Sequence, residues 1–124
     1  MKQFIVTGLI LAAITIVLGA FGSHGLKNKL TPEYLEIFDT GVKYQFFHSL
    51  GIIIIGLLSF HFPSIPLQIP FYLFLIGIIL FSGSLYILAI TGIKWFGAVT
   101  PIGGLSFIVG WIITAFYIYR GASI

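Results

Sequence analysis

The sequence contains no cysteine and very few charged residues. Of its 124 residues, three are acidic and six are basic, and charged residues make up only 7% of the chain. A soluble globular domain has roughly 25% charged residues, so this chain could not cover a surface exposed to water. The absence of cysteine excludes disulfides, thiolate metal sites and thiol catalysis. The net charge of +3 is too small and too scattered to form a nucleic-acid-binding surface.

Apolar residues dominate instead, at 59% of the sequence with a mean hydropathy of +1.15. A helix needs about 20 apolar residues to cross a hydrocarbon core about 30 Å thick. Four apolar runs approach this length, at about residues 4–21, 44–62, 71–91 and 101–119. The first run is longer than the roughly 7–15 apolar residues of a signal peptide, so we interpret it as a span. The sequence therefore predicts an all-α integral membrane protein in which residues 1–124 form one four-transmembrane-helix bundle.

The link between the first two spans carries its own helix signals. Thr31-Pro32-Glu33 has the residue types of a helix N-cap, a first helical position and an acidic first turn. Apolar side chains recur at every fourth position and so share one helix face: Leu30, Tyr34, Phe38 and Val42. We predict a short amphipathic interfacial helix at residues 32–42, lying at the membrane surface, with a solvated loop as the alternative.

Most polar residues of the spans are predicted to lie near one side of the membrane. With four spans, the first and third links share one side, here called the polar side, while the termini and the second link share the other. The residues near the polar side form the predicted polar cluster: His24, Thr40, Tyr44, Gln45, His48, Ser82, Ser84, Tyr86 and Thr100. At a rise of 1.5 Å per residue, His48 and Tyr86 would each lie roughly 6 Å inside the membrane.

The chemistry of this cluster has three interpretations. The side chains can hydrogen-bond between helices and so hold the bundle together. They can instead bind a lipid head group, an ion or a small molecule, because ionisable groups at membrane depth are often functional. As a third alternative, His24 and His48 could ligate haem as an axial pair. A zinc site is disfavoured because Asp39 and the two histidines lack a tight ligand spacing. We predict neither a cofactor nor a metal.

The most specific prediction for the cluster concerns the orientation and the hydrogen-bond partner of His48. An imidazole in lipid without a hydrogen-bond partner would cost on the order of a few kcal/mol. We therefore expect His48 to face the bundle interior as a neutral ring, with Tyr86, Gln45 or His24 as its partner.

Small residues recur at helical spacing in the first and fourth spans. They are Gly8, Ala12, Thr15, Gly19, Ser106, Gly110 and Thr114. Such residues let helices approach closely where lipid supplies no hydrophobic driving force between them. We predict packing within the chain, with contacts of a homo-oligomer as the alternative.

The distribution of basic residues predicts the orientation. The polar side carries most of them: Lys27, Lys29, Lys43 and Lys94. Only Lys2 and Arg120 lie on the other side. The positive-inside rule then places the polar side in the cytoplasm.

No enzyme signature is present in the sequence. It lacks a phosphate-binding loop, a G-x-S-x-G nucleophile elbow, an H-E-x-x-H zinc motif and a pair of buried carboxylates. We therefore predict a non-enzymatic membrane protein whose partners are membrane lipids, and which binds lipid or stabilises the envelope. A small transporter or channel subunit using the polar cluster is an alternative, but it needs polarity through both leaflets. A haem-binding or enzymatic membrane protein is the third alternative.

Four ordered segments resemble the YgdD/YwdK family of small bacterial membrane proteins. They are residues 19–26 (GAFGSHGL), 40–48 (TGVKYQFFH), 81–86 (FSGSLY) and 100–104 (TPIGG), the last followed by Gly110-Trp111. This is a domain-of-unknown-function family with an animal transmembrane relative, and the resemblance covers essentially the whole chain. It implies four spans in a bacterial plasma (inner) membrane, and it implies no reaction.

Overall fold

The computed structural model describes residues 1–121, and the regular elements in this part are all helical. Five α-helices follow one another: α1 (Lys2–Ala20), α2 (Pro32–His61), α3 (Gln68–Gly77), α4 (Gly83–Thr91) and α5 (Thr100–Gly121). Three short segments of other helical types accompany them: the π-helical turns Phe21–Gly25 and Ile78–Ser82, and the 3-10 helix Lys94–Ala98.

These elements combine into four helical spans, each long and apolar enough to cross a membrane. They are span 1 (Lys2–Gly25), span 2 (Pro32–His61), span 3 (Gln68–Thr91) and span 4 (Lys94–Gly121). The predicted all-α architecture with four spans is confirmed, with 87% of residues helical and no strand in the described part. Helices are the expected solution in lipid, because each backbone polar group must find its partner within the protein.

Span 2 corrects the prediction for the first link. The Thr31 Oγ1 atom caps α2 by accepting a hydrogen bond from the Tyr34 backbone N–H at 3.3 Å, and a proline follows Thr31 as the first helical residue. Residues 32–42 are therefore helical, as predicted, but they do not form a separate interfacial helix, since α2 continues through them without a break. With 30 residues, α2 is about 45 Å long, which exceeds a hydrocarbon core of about 30 Å. The helix therefore has more residues than one crossing of this core requires.

Spans 2 and 3 form the centre of the bundle. Span 1 packs mainly along α2, and span 4 packs along α3 and the π turn that follows it, so spans 1 and 4 leave most of their apolar surface exposed. The main apolar core lies in the middle of the bundle and towards the side opposite the polar side: Ile52, Ile55, Leu67, Phe71, Phe74, Ile78 and Phe107. A smaller core near the polar side consists of Leu26, Phe38 and Ala89.

Small residues allow close contacts between the helices. Gly8 lies against α2, where an added Cβ would be 2.8 Å from the Ser49 backbone oxygen. Gly103 lies against the second π turn, where an added Cβ would overlap the Phe81 backbone nitrogen. Gly110 is likewise buried. These small residues pack within the chain, and a homo-oligomer formed through them stays a prediction.

Candidate functional site

Gln45 connects three of the spans. It is only 3% exposed, and its Oε1 atom accepts a hydrogen bond from the Tyr86 hydroxyl at 2.6 Å. Its Nε2 atom donates to the Leu11 backbone oxygen of α1 at 3.5 Å. Gly41, one turn earlier in α2, leaves room for the Tyr86 ring, because an added Cβ would lie 2.7 Å from Tyr86 Cε1. The Gln45 amide thus holds spans 1, 2 and 3 together.

Ser82 forms a second link between spans 2 and 3. It ends the π turn Ile78–Ser82, is fully buried and donates a hydrogen bond to the Gly41 backbone oxygen at 2.7 Å. Ser82 and Tyr86 are four residues apart on span 3, and their acceptors, Gly41 and Gln45, are four residues apart on α2. These two hydrogen bonds fix the position of span 3 along span 2.

A third polar contact joins spans 3 and 4. The hydroxyl oxygens of Ser84 and Thr100 are 2.6 Å apart. Ser84 Oγ also lies 2.9 Å from the Phe81 backbone oxygen, and Thr100 Oγ1 lies 3.3 Å from the Phe96 backbone oxygen. Each hydroxyl carries one proton, so one of them donates across the helices while the other donates to its own helix. The contact is therefore satisfied within the protein.

His48 is bonded to Trp111 of α5. The Trp111 Nε1–H group donates to His48 Nε2 at 2.9 Å, and His48 Nδ1 lies 2.8 Å from the Tyr44 backbone oxygen. An indole N–H can only donate, so His48 Nε2 is the unprotonated acceptor. The ring proton is then on Nδ1, which donates to the Tyr44 oxygen. Together the two hydrogen bonds specify a neutral imidazole.

The predicted orientation of His48 is confirmed, since the residue is only 5% exposed, but its predicted partner is wrong. The expected partners were Tyr86, Gln45 and His24, and none of them bonds to it. The prediction took span 2 to begin near residue 44, whereas α2 starts at residue 32. His48 consequently lies near the middle of α2 and faces α5, where Trp111 is also near the middle of its helix.

Aromatic rings surround the His48 imidazole. The Phe107 ring stacks on it, with 3.5 Å between the ring centroids and 11° between the planes. The Phe74 ring packs against both partners, with its centroid 5.3 Å from His48 and 4.7 Å from Trp111. Trp111 itself is 42% exposed, so its outer surface faces lipid. These rings fill the space between α2 and α5.

The side chains of three residues of the predicted polar cluster stay outside these hydrogen-bonded contacts. His24 is exposed at the end of span 1. Thr40 donates a hydrogen bond within its own helix, to the Glu36 backbone oxygen at 3.0 Å. Tyr44 is 40% exposed, and its ring packs against Phe81 at 4.5 Å between centroids. The structure thus divides the cluster into several separate contacts, and a role of its members in ligand binding stays a prediction.

The buried polar side chains of the described residues are all hydrogen-bonded. Within residues 1–121, every buried side-chain nitrogen or oxygen has a hydrogen-bond partner. In the same part of the chain, no group of three or more His, Asp and Glu side chains could hold a metal ion. His48 uses both ring nitrogens in hydrogen bonds to the protein. The buried contacts therefore stabilise the bundle, and a ligand is more readily accommodated at the surface of the spans.

A groove of about 580 Å³ lies between spans 1 and 3, and we call it the Tyr86 groove. Apolar side chains dominate its lining, with Leu11 from span 1, Ile87 from span 3 and Trp95 from the 3-10 helix. The hydrogen-bonded Gln45 and Tyr86 side chains also line it. Because Ile87 and Trp95 are exposed, the groove opens onto the surface that faces lipid.

A second groove, of about 470 Å³, lies between spans 1 and 2, and we call it the His24 groove. Its lining includes His24 at the end of span 1 and Lys43, Phe46 and Phe47 of α2. All four side chains are exposed. This groove therefore combines a cationic group with aromatic surface.

Comparison with known proteins identifies the family. A family model described as "Protein of unknown function (DUF423)" matches residues 18–104. The chain belongs to the DUF423 family. Its relatives include the UPF0382 membrane protein SSP2132 of Staphylococcus saprophyticus, which is 48% identical over 112 residues, covering 90% of this chain and 92% of the relative. The UPF0382 membrane protein YwdK of Bacillus subtilis is 45% identical over 113 residues, covering 90% and 92%.

Membership of DUF423 confirms the resemblance to the YgdD/YwdK family and the membrane character of the chain. The matched residues 18–104 include Gln45, Tyr86 and the Ser84–Thr100 contact, whereas Trp111 lies beyond them. No solved structure matches the chain significantly.

Proposed function

We propose that this DUF423 protein is a non-enzymatic, multi-pass protein of the bacterial plasma membrane that binds a phospholipid acyl chain in the Tyr86 groove. The observation that carries the proposal is the groove itself, which has a volume of about 580 Å³ and a mainly apolar lining. Ligand sites typically have volumes of about 300–1,000 Å³ and apolar walls. In a membrane, the hydrocarbon chain of a lipid is the abundant ligand that fits such walls.

The position of Trp95 supports a lipid that enters from the polar-side leaflet. Trp95 lines the groove and is largely exposed. Tryptophan is enriched at membrane interfaces, where its ring lies at the level of the head groups. A lipid with its head group near Trp95 would extend its acyl chain past Ile87 towards Leu11, both of which line the groove.

The contacts of the polar side chains support binding over catalysis. Ser82 donates to a backbone oxygen and Ser84 pairs with Thr100. Within the described residues neither serine hydrogen-bonds to a His, Asp or Glu side chain, which is what an activated nucleophile needs. His48, the buried residue suited to be a general base, has its acceptor nitrogen occupied by the Trp111 indole.

The apolar core supports lipid binding over transport. A transporter or channel needs polar groups or water along a path across both leaflets. Beyond the Gln45–Tyr86 pair, the centre of the bundle is filled by buried apolar side chains, among them Ile52, Ile55 and Phe74. A substrate released from that pair would have to displace this core.

Gly83 offers a variant that fills the groove without disturbing the fold. Gly83 lines the Tyr86 groove, and a Cβ added there meets no atom within 4 Å. In Gly83→Leu the new side chain occupies the groove, and leucine also has a higher helix propensity than glycine. Ala13→Leu is the matched control, because Ala13 is exposed on α1 and does not line the groove.

Native mass spectrometry of the protein extracted in mild detergent measures the phospholipid that it retains. We expect retained phospholipid on the wild type and on Ala13→Leu, and one phospholipid fewer on Gly83→Leu. Thermal unfolding in detergent should show that Gly83→Leu is at least as stable as the wild type. Equal retention by Gly83→Leu and the wild type, or no phospholipid on the wild type, would contradict the proposal.

A further inference from the structure

The apolar part of the His24 groove is formed by exposed side chains of two neighbouring spans. Ile16 and Ala20 line it from α1, and Phe46 and Phe47 line it from α2. All four are exposed on the surface of the bundle. Because spans 1 and 2 pack along each other, these side chains border the groove between the two helices.

Polar side chains line the same groove at its polar-side end: Ser23, His24 and Lys43. Each of them can donate a hydrogen bond, and Lys43 carries a full positive charge. Among the described residues, the Ser23 hydroxyl and the His24 ring have no hydrogen-bond partner. Three donors therefore lie at one end of an apolar groove, and two of them have no partner in the described part of the chain.

The order of polar and apolar residues is the same on both helices. Span 1 runs towards the polar side, so Ile16 and Ala20 lie deeper than His24. Span 2 runs away from the polar side, so Lys43 lies closer to that side than Phe47, which is one helical turn further along the same face. This order matches a lipid, whose charged head group lies at the membrane surface above its acyl chains.

The charges around the groove favour an anion. The Asp39 Oδ2 atom lies 3.2 Å from Lys43 Nζ, but both side chains are mostly exposed, at 58% and 64%. Exposed pairs of this kind are weak, so Lys43 can turn towards another anion. Asp39 lines an adjacent groove together with Lys27 and is not among the residues that line the His24 groove. The polar end of the His24 groove thus has a cation and hydrogen-bond donors, with no carboxylate in its lining.

We propose that the His24 groove binds one anionic phospholipid. Its phosphate accepts hydrogen bonds from Lys43, His24 and Ser23, and its acyl chain lies along Phe46 and Phe47. Lysine binds phosphate as a point charge, which suits a head group with a net negative charge. The amine of a zwitterionic head group would meet no carboxylate among the lining side chains. This site is separate from the Tyr86 groove and does not depend on the function proposed for it.

Lys43→Gln tests the charge at the groove, and Lys94→Gln is the matched control. Both variants remove one positive charge from the polar side, but Lys94 does not line the groove. The full-length proteins are reconstituted in phosphatidylcholine vesicles that contain spin-labelled phosphatidylglycerol or spin-labelled phosphatidylethanolamine. Electron paramagnetic resonance then gives the fraction of each label that the protein immobilises.

We expect the wild type and Lys94→Gln to prefer phosphatidylglycerol, and the preference to fall about fivefold in Lys43→Gln. Fivefold corresponds to the attraction of about 1 kcal/mol between one lysine and an anionic membrane surface. Ala20→Phe, which fills the apolar part of the groove, should reduce immobilised phosphatidylglycerol to a similar extent. Circular dichroism should show wild-type helix content for each variant.

Three results would overturn the proposal. The first is equal immobilisation of the two lipids by the wild type. The second is an equal fall in Lys43→Gln and Lys94→Gln, which would indicate general attraction to the basic surface. The third is an unchanged preference in Ala20→Phe. Gly83→Leu should leave the preference unchanged, so failure at the Tyr86 groove can be told apart from failure at this one.

Discussion

Replacing Trp111 by phenylalanine should destabilise the bundle by removing the hydrogen-bond donor of His48. Phenylalanine keeps a ring near Phe74, whose centroid is 4.7 Å from that of Trp111. It removes the N–H group that donates to His48 Nε2 at 2.9 Å. Because His48 is only 5% exposed, water does not readily replace the lost donor.

The size of the effect follows from two known ranges. Hydrogen bonds between membrane helices contribute about 0.6 kcal/mol on average and up to about 1.7 kcal/mol. A buried acceptor without a partner costs about 1–3 kcal/mol. We therefore expect Trp111→Phe to lower the free energy of unfolding by about 1–2 kcal/mol. His48→Leu should cost about as much, because it leaves the indole N–H without its acceptor.

The double variant separates the hydrogen bond from the packing of the rings. In Trp111→Phe with His48→Leu, neither polar atom remains to be satisfied, so the loss should be smaller than the sum of the single losses by about 1 kcal/mol. His48→Gln should keep most of the stability, since its amide oxygen can accept the bond from Trp111. Trp95→Phe is the control for the chemical change, because Trp95 is largely exposed and its indole N–H has no hydrogen-bond partner in residues 1–121.

Unfolding in mixed micelles of dodecyl maltoside and dodecyl sulfate, followed by circular dichroism, measures these free energies. Trp95→Phe should change the free energy by less than about 0.5 kcal/mol, as surface substitutions usually do. Single effects that add to within about 0.3 kcal/mol in the double variant would refute the inference that Trp111 and His48 are coupled. A loss in Trp95→Phe as large as that in Trp111→Phe would refute it as well.

Two further predictions concern the polar contacts and the orientation. Tyr86→Phe removes the hydroxyl that donates to Gln45 at 2.6 Å, and it should lower the free energy of unfolding by about 1–2 kcal/mol in the same micelle assay. Adding Gln45→Leu should recover part of this loss, and a purely additive result would argue against the contact. A C-terminal alkaline phosphatase fusion should be active, because the positive-inside rule places the polar side in the cytoplasm and the termini outside. Activity only from a cytoplasmic reporter at that end would reverse the orientation.

The number of spans was predictable because lipid imposes a simple requirement on the sequence. A charged side chain at the centre of a span costs about 2.5–3.5 kcal/mol, so uncharged apolar runs mark the helices clearly. The start of α2 was predictable as well, since Thr31 supplies a cap that the structure contains. Its continuity was not predicted, because the charged residues of the segment 32–42 suggested a separate helix. Gly41 within it lowers helix propensity by only about 1 kcal/mol, and the buried Phe38 anchors the segment to the bundle.

The sequence showed which residues lie near the same side of the membrane, but this was not enough to predict the partner of His48. Helix start and rotation decide which side chains meet, and neither is visible when each span is considered alone. The π turn Ile78–Ser82 adds to the difficulty, because its wider turn changes the direction of the side chains after it and no proline marks it. The position of Trp111 in the sequence did indicate a hydrogen bond, since an indole near the middle of a span needs an acceptor for its N–H group.

The hydrogen-bonded contacts and the grooves lie in different parts of this bundle. Gln45 is buried and bonded to both neighbouring spans, while Lys43, Phe46 and Phe47 on the same helix face outwards into the His24 groove. A ligand at the buried contacts would have to break hydrogen bonds that already satisfy every buried side-chain polar atom in residues 1–121. A lipid in either groove breaks none of them and instead contacts surface that is already exposed. Span 1 borders both grooves, contributing Leu11 to one and Ile16 to the other, so a change in its packing on α2 would be expected to alter both.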